Sequence, residues 1–427
     1  MQKRTWVLPA ILLFAAAVCA QGAGKGTISL TDEPIGYAGL GKYATSKGKT
    51  VSTKQELVSA VKSGGVIIIN GMIDMSEGML VAEGGKSTDS TPELDAFVKK
   101  QNKGYKTYAE WVNAYTAACK TSTEDMSGSK SGKSNLYDTL WAFNTKYRNT
   151  VTLSIQSNTT LVGAGSDCGI RGGRIQISSV ENVQIRNLTI QDAYDPFPHH
   201  EKGDGYNAEL DCVVIEGSKN VWVDRCTFED TLEVGKVKTA GKTEEKWQTF
   251  DGLCDIKNKT STKDETTNVT VSNCFFRNHD KTLLIGSSSK DGDNSKRFVT
   301  LYGNYFYNCG QRLPMVRNTT VHILNNYYDA SNPHYANSYA VGVRENAIIY
   351  AENNYFGSGI KRSFDNSQGK LHSSGNTDNC TEKSKTTAPT DSKLFKDAVG
   401  KYTYTAMSAS DAKTNAMNNA GAGYTLK

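Results

Sequence analysis

Seven charged residues stand beside four successive short apolar segments of the chain. In order, they are Glu209 and Asp211, Asp251 and Asp255, Lys281, and Arg312 and Arg317. If the four segments are neighbouring strands of one sheet, two adjoining strands carry carboxylates and the next two carry cations. The spacing therefore predicts a strip on which anionic and cationic side chains meet.

The carboxylates of this strip are a candidate metal site. Carboxylates that lie within a few ångströms of one another repel and have raised pKa values unless a cation joins them. A cluster of oxygen ligands without His or Cys suits Ca²⁺, which binds about six to eight oxygens. Two alternatives stay open, namely solvated acids on loops and acids that are paired with nearby lysines.

The three cations indicate a ligand with many negative charges. Beside a Ca²⁺ ion with incomplete coordination, Lys281, Arg312 and Arg317 favour a polymer with regularly spaced carboxylates, bound in a long groove. Nucleic-acid binding is disfavoured, because the cations form one narrow strip on a chain with a net charge of only +5. A membrane partner is not expected either, because no segment after the first 20 residues approaches the roughly 18 apolar residues of a membrane helix.

An eight-residue frame recurs along the chain and must position these side chains. Its six copies are Val183–Ile190, Val221–Phe228, Val269–Phe276, Val299–Phe306, Val321–Tyr328 and Ile349–Phe356. Alternation at period 2 predicts that each copy is a strand, and a repeat this short must stack on its neighbours to bury its apolar face. Stacking makes the eighth position an aromatic column and the sixth a ladder of Asn and Cys. The fold is predicted to be all-β, a right-handed parallel β-helix.

A second set of strands lies between the copies of the frame and carries the charged strip. The predicted strands are Arg174–Ser178, Cys212–Gly217, Leu253–Lys257, Leu283–Ser287, Leu313–Arg317 and Ala340–Arg344. Each occupies a similar place in its turn of the β-helix, here called a rung. They are therefore predicted to form one parallel sheet with a continuous outer face.

The continuous repeat predicts a single domain over residues 21–427. Residues 78–150 are polar with helical pieces and are predicted to be an excursion packed on the outside of the β-helix. The tail, residues 357–427, is polar and repeat-free, and is predicted to wrap or cap the far end. Short helices are predicted within Ser52–Gly65, from a capping box between Thr53 and Glu56, and over Ser410–Asn419.

Residues 1–20 have the pattern of a secretory signal peptide. Lys3 and Arg4 precede an apolar run, and small residues lead to a predicted cut before Gln21. The protein is thus expected to be secreted. Loss of Cys19 leaves eight cysteines, of which Cys226 and Cys274 share the sixth frame position, close enough for a disulfide. Buried free thiols would give the same pattern, so both alternatives stay open.

Seven stretches carry a resemblance to a known family. They are PIGYAG (34–39), NTTLVGAGS (158–166), VWVDRCTF (221–228), DGLCD (251–255), HDKTLLIGSS (279–288), QRLPMVR (311–317) and AGAG (420–423). Together they resemble the pectate lyases, the family 1 polysaccharide lyases with a parallel β-helix fold. The resemblance spans nearly the whole chain, and its most specific part is Arg-x-Pro-x-x-Arg with the upstream Asp-Lys.

The resemblance implies a calcium site. Carried over by position, Asp211, Asp251 and Asp255 would bind a catalytic Ca²⁺ ion. Glu209 stands where some members of the family have a further acidic ligand. Arg225 departs from the His that is usual after Trp-x-Asp, which bears on local packing rather than on the chemistry.

The resemblance also implies roles for the cations. Lys281 and Arg317 would hold uronate carboxylates, and Arg312 would take the proton from C5. A guanidinium group is an unusual base, so a bound hydroxide ion with Arg312 as its stabiliser is the alternative. The expected reaction is calcium-dependent β-elimination of α-1,4-polygalacturonate by a monomeric enzyme, which gives 4,5-unsaturated oligogalacturonates.

Three other functions fit these residues less well. A glycosidase needs paired carboxylates around the bond, whereas this strip pairs acids with Arg and Lys. A lyase for methyl-esterified pectin would act on a substrate without the carboxylate charges that Ca²⁺ bridges, so the cluster of Asp residues favours the unesterified polymer. A non-catalytic glycan-binding β-helix would explain the repeat but not the cations around residues 313–316.

Overall fold

The fold was determined from a computed structural model of the chain. It describes residues 25–427 except 47, 120–125, 127–134, 240–243, 260–263, 289–295, 332–334, 385–398 and 400. The predicted signal peptide, residues 1–20, therefore lies outside the described residues. None of the described helices is long and apolar enough to cross a membrane.

The described strands form three long parallel sheets, of ten, nine and eight strands. The ten-stranded sheet contains Lys49–Val51, Gly65–Ile69, Thr159–Gly163, Glu181–Arg186, Lys219–Asp224, Thr267–Ser272, Phe298–Tyr302, Thr320–Leu324, Ile348–Glu352 and Lys370–Ser374. The nine-stranded sheet contains Met72–Asp74, Gly169–Arg171, Thr189–Gln191, Thr227–Glu229, Phe275–Arg277, Tyr305–Tyr307, Tyr327–Asp329, Tyr355–Phe356 and Thr377–Asp378. The eight-stranded sheet contains Thr152–Ser154, Arg174–Ser178, Val213–Glu216, Cys254–Lys257, Leu284–Ile285, Met315–Val316, Val341–Val343 and Phe364–Asn366. Successive rungs contribute successive strands to each sheet, so the predicted parallel β-helix is confirmed.

Three short two-stranded sheets and one 3-10 helix complete the described β structure. The parallel pair Thr27–Ile28 and Thr425–Leu426 joins the two ends of the described chain. Antiparallel pairs form between His199–Glu201 and Gly205–Asn207 and between Lys236–Val237 and Glu245–Lys246. The 3-10 helix is Tyr37–Leu40.

Each copy of the frame turns a corner, which corrects the prediction that it is a single strand. Its first three positions lie in the ten-stranded sheet, and its seventh and eighth lie in the nine-stranded sheet. The fifth position has a left-handed backbone in every copy, with φ between 50° and 65° at Asn187, Arg225, Asn273, Gly303, Asn325 and Asn353. Gly and Asn adopt this conformation most readily, which explains their recurrence there. At Arg225 the side chain also binds the preceding Asp224 carboxylate.

The predicted aromatic column is confirmed. Phe228, Phe276 and Phe306 are fully buried. The Phe276 ring stacks on the two others at centroid distances of 4.8 and 4.9 Å. Tyr328 and Phe356 continue the stack at 5.0 and 4.6 Å.

The sixth frame position forms the predicted ladder. Asn304 Nδ2 donates to Asn326 Oδ1 at 2.9 Å, and Asn326 Nδ2 donates to Asn354 Oδ1 at 3.1 Å. Cys226 and Cys274 occupy the same column as buried free thiols. Of the two alternatives that the sequence left open, the structure thus has the free thiols and no disulfide between these two residues.

Removing one ring from the column tests how far stacking stabilises the fold. We expect Phe276→Ala to lower the free energy of unfolding by about 3–5 kcal/mol, because the neighbouring rings cannot close the cavity. Urea denaturation measures the change. Phe275→Ala is the matched control, because Phe275 lies partly exposed on the outer face of the same strand. Equal losses for the two variants would contradict this account.

The tail is not repeat-free, which corrects the prediction for residues 357–427. Phe364–Asn366, Lys370–Ser374 and Thr377–Asp378 add a further strand to each of the three sheets. Gly375 takes the left-handed corner with φ 64°, and Asn376 extends the Asn ladder. The sequence did not predict this last rung, because its many polar residues obscure the alternation of apolar and polar positions.

Five helices lie in the described part of the chain. They are α1 (Lys54–Val61), α2 (Pro92–Lys100), α3 (Tyr108–Ala118), α4 (Asn135–Val151) and α5 (Ala409–Asn419). The predicted capping box of α1 is present. Helices α2 to α4 belong to the predicted excursion, and their buried side chains, among them Trp111 and Phe143, join the same apolar core as the sheets. Helix α4 leads directly into Thr152–Ser154 of the eight-stranded sheet.

Candidate active site

Two cavities are lined by residues of the predicted charged strip. The first, here called the Lys281 cavity, has a volume of about 590 Å³ and is lined by residues that include Asn207, Lys281 and Arg312. The second, the Arg174 cavity, measures about 600 Å³ and is lined by residues that include Arg174 and Asp211. The predicted charged strip therefore borders two neighbouring openings.

Asp211 and Asp255 converge from adjoining rungs. Asp211 Oδ1 accepts a hydrogen bond from the Gly252 amide at 3.0 Å, and Asp255 Oδ1 accepts one from the Leu284 amide at 3.0 Å. A Cβ atom at Gly252 would lie 2.8 Å from Asp211 Oδ1 and 2.4 Å from Asp255 Oδ1. Only glycine therefore leaves room for both carboxylates, which are buried.

Lys257, which the sequence analysis did not single out, lies between these two carboxylates. Its Nζ atom is 2.9 Å from Asp211 Oδ2 and 3.8 Å from Asp255 Oδ2. Burial alone would lower the pKa of Lys257, but the charges of Asp211 and Asp255 outweigh burial and raise the pKa. The sequence did hold a signal, because residues 255 and 257 of a strand point to the same face.

Two acids on the same rung, Asp251 and Asp255, lie in different electrostatic environments. Burial, with the neighbouring charges of Asp211 and Asp251, raises the pKa of Asp255 well above its ordinary value. Burial would also raise the pKa of Asp251, but the ammonium groups of Lys281 and Lys257 outweigh it and hold that pKa low. Lys281 Nζ lies 3.1 Å from Asp251 Oδ1. The cluster is therefore short of positive charge around Asp255.

His279 fixes the backbone beside Asp251. Its Nδ1 atom is 2.6 Å from Asp230 Oδ2 and its Nε2 atom is 2.6 Å from the Asp251 carbonyl oxygen. Both partners are acceptors, so both ring nitrogens must donate. Burial alone would lower the pKa of this imidazole, but Asp230 outweighs burial and raises it. His279 thus supports the backbone of a candidate ligand.

Glu209 lies beside His199 rather than in the contact between Asp211 and Asp255. Its Oε1 atom lies 3.3 Å from His199 Nδ1, and His199 Nε2 lies 2.7 Å from Glu201 Oε1. Burial raises the pKa of Glu209, and the neighbouring Asp251 charge adds to the effect. Its carboxylate borders the Arg174 cavity.

Arg312 is held in an unusual backbone conformation at the edge of the Lys281 cavity. Its φ is 60°, which is strained for a residue with a side chain. Its Nε atom is buried and has no hydrogen-bond partner among the described residues. Across the cavity, Lys281 Nζ donates to Asn207 Oδ1 at 2.5 Å. The cavity thus presents cationic donors to a ligand.

Arg317 stands at the other end of the same short strand as Arg312. Its Nε atom lies 3.1 Å from Glu345 Oε2, and its side chain is 24% exposed. It must exchange this partner to bind a carboxylate of a ligand. The structure thus brings Lys281 and Arg312 to one cavity and leaves Arg317 in an ion pair beside it.

The donor set fits calcium once Lys257 withdraws. As the side chains stand, no group of three His, Cys, Asp or Glu residues in the described part of the chain is close enough to enclose a metal ion. Nevertheless, Asp211 and Asp255 supply converging oxygens over Gly252, with Asp251 on the same rung as Asp255. Such an all-oxygen set suits Ca²⁺. The lysine between the acids matches the alternative of lysine-paired acids that the sequence left open.

Comparison with known proteins identifies related sequences. A family model described as pectate lyase matches residues 121–425. The pectate lyase of Bacillus subtilis strain 168 is 34% identical over 333 residues, which is 75% of this chain and 72% of that protein. Pectate lyase E of Dickeya dadantii strain 3937 is 41% identical over 209 residues, or 48% of this chain and 50% of that protein.

Solved structures share the fold over nearly the whole chain. A pectate lyase bound to a hexasaccharide has a TM-score of 0.68 and 27% identity, and the match covers 94% of this chain and 98% of that one. The pectate lyase of Acidovorax avenae subsp. citrulli has a TM-score of 0.75 and 24% identity, with 93% and 96% of the chains covered. The second likeness concerns the fold alone.

Proposed function

Because the chain belongs to the pectate lyase family of polysaccharide lyases, we propose that it is a secreted, monomeric, calcium-dependent enzyme that cleaves α-1,4-polygalacturonate by β-elimination. One observation carries the proposal. The Asp211 and Asp255 carboxylates converge from two adjoining rungs, and the next two rungs place Lys281 and Arg312 at a single cavity. A related pectate lyase has been solved with a bound hexasaccharide, which supports an oligosaccharide ligand.

The proposed reaction needs a base, a carboxylate clamp and a leaving oxygen. The C5–H bond of a galacturonate unit lies next to its carboxylate. Arg312, in its deprotonated form, takes the C5 proton, and the electron pair of the C5–H bond forms the C4=C5 double bond. The C4–O glycosidic bond breaks with its electrons on oxygen, and this oxygen takes a proton from solvent. Lys281 holds the carboxylate and stabilises the negative charge that develops on it. A hydroxide ion stabilised by Arg312 is the alternative base.

Calcium would be held by Asp211, Asp251 and Asp255. When bound, Ca²⁺ would draw electron density from the uronate carboxylate and so make C5–H more acidic. The residues of the chain have separate tasks. Gly252 leaves room for the two converging acids, His279 fixes the backbone of Asp251, and Arg317 holds a neighbouring uronate after it leaves Glu345.

The appearance of a conjugated double bond tests the function directly. Incubation with polygalacturonate and Ca²⁺ is expected to raise the absorbance of the unsaturated uronate band, and highly methyl-esterified pectin is expected to give a much smaller rise. Preference for the ester would favour the pectin lyase alternative, because ester groups lack the charge that the cations bind. Binding of polygalacturonate without any rise in absorbance would favour the non-catalytic alternative.

A further inference from the structure

The Arg174 cavity contains two arginines that the proposed reaction does not use. Arg174 begins a strand of the eight-stranded sheet, and Arg148 lies in the last turn of helix α4. Both line the cavity. They come from distant parts of the sequence, since Arg148 belongs to the helical excursion and Arg174 to the β-helix.

Arg174 is buried, and no carboxylate of the described residues lies within ion-pair distance of it. Arg174 is only 8% exposed, and its Nε atom has no hydrogen-bond partner among the described residues. Within that part of the chain, neither Arg174 nor Arg148 forms an ion pair. Burial lowers the pKa of Arg174. The charge of Asp211 opposes burial, as do Glu216 and Glu209, whereas the positive charge of Arg148 adds to the lowering. The cavity is thus lined by two arginines that make no ion pair among the described residues, together with three carboxylates.

The acids that border the cavity already have other partners. Asp211 binds Lys257, and Glu209 lies beside His199. Glu216 Oε1 accepts hydrogen bonds from Gln176 Nε2 at 3.2 Å and Ser178 Oγ at 2.9 Å. The two guanidinium groups thus have donors left over in a partly buried, water-accessible opening. An anion that entered it would gain charge-assisted hydrogen bonds.

The position of this cavity relates it to the proposed cleavage site. The strand of Arg174 lies four strands from Met315–Val316, which follows Arg312. At a strand spacing of about 4.8 Å, the separation along the axis is roughly 19 Å. Only a substrate several sugars long would reach both places.

We propose that Arg148 and Arg174 form a distal subsite that binds the carboxylate of a uronate several sugars from the cleaved bond. The subsite deepens the proposed function and rests on it for the identity of the ligand. It makes the enzyme selective for long, unesterified chains. Helix α4 contributes to this selectivity by bringing Arg148 over the β-helix.

The length dependence of the reaction tests the subsite. We expect Arg148→Gln and Arg174→Gln each to lower the ratio of kcat/KM for hexagalacturonate to kcat/KM for trigalacturonate by about tenfold, mainly through KM. Arg148→Lys should recover part of the loss, because it restores the charge without the planar fork. Arg277→Gln is the matched control, since Arg277 is paired with Glu229 on the nine-stranded sheet, and its ratio should stay at the wild-type value.

Two further measurements keep the outcomes separate. Calorimetric binding of hexagalacturonate reports on the subsite independently of catalysis. The absence of unsaturated product would overturn the proposed function but not the subsite. Thermal melting identifies variants that have lost their fold. We expect Arg148→Gln to stay folded, because Arg148 is only half-buried. Unchanged hexagalacturonate affinity and an unchanged length ratio in a folded Arg148→Gln variant would overturn the subsite and leave Arg148 as a stabiliser of the end of helix α4.

Discussion

Replacing Arg312 with lysine is expected to lower turnover of polygalacturonate at least about 10³-fold while leaving binding nearly unchanged. This loss corresponds to roughly 4 kcal/mol of transition-state stabilisation. Lysine keeps the positive charge but not the planar group that the strained backbone and buried Nε atom aim at the cavity. Steady-state kinetics and calorimetric binding separate the two effects.

Arg317→Ala is the companion variant for this test. Arg317 is expected to bind substrate rather than to move a proton, so its loss should raise KM more than it lowers kcat. Near-normal turnover of Arg312→Lys would contradict the assignment of the base. Lys281, or a hydroxide ion held in the cavity, would then become the leading candidate.

Removal of calcium is expected to abolish measurable lyase activity, and added Ca²⁺ should restore it. The reason lies in the charge of the acidic cluster. Asp255 is buried beside Asp211, and among the described residues its one ammonium contact is the distant Lys257 Nζ atom, at 3.8 Å. Treatment with a chelator, followed by titration with Ca²⁺, measures the dependence. Full activity in excess chelator would rule out the metal.

Lys257 gives this prediction a readout that does not depend on activity. Its ammonium group occupies the space between Asp211 and Asp255, so it must compete with a metal ion for their oxygens. We expect Lys257→Met to bind Ca²⁺ more tightly than the wild type in a calorimetric titration. Lys259→Met is the matched control, because Lys259 binds Ser178 and Ser179 instead. Weaker binding by Lys257→Met would show that the lysine does not compete for the site.

Local patterns were enough to predict the architecture. A parallel β-helix repeats the same environment on every rung, so equal frame positions such as Phe228, Phe276 and Phe306 must stack once alternation makes them strands. The strip of acids and cations followed from the same register. The pattern did not predict the corner at the fifth frame position. The alternation of apolar and polar residues is the same in the strand before the turn and in the strand after it, so the alternation gives no sign of the turn.

The partners of the charged side chains were decided by the tertiary structure. Lys257 reaches Asp211 across a rung, and His279 reaches the carbonyl oxygen of Asp251 across a loop. Such long-range pairings depend on the paths of the loops between rungs, and the local sequence does not specify these paths. Arg148 shows this most clearly, because only the packing of helix α4 against the apolar core brings it beside Arg174. The sequence by itself thus determined the β-helix and the charged strip, whereas the folded chain decided which charges are paired and which stay free to bind a ligand.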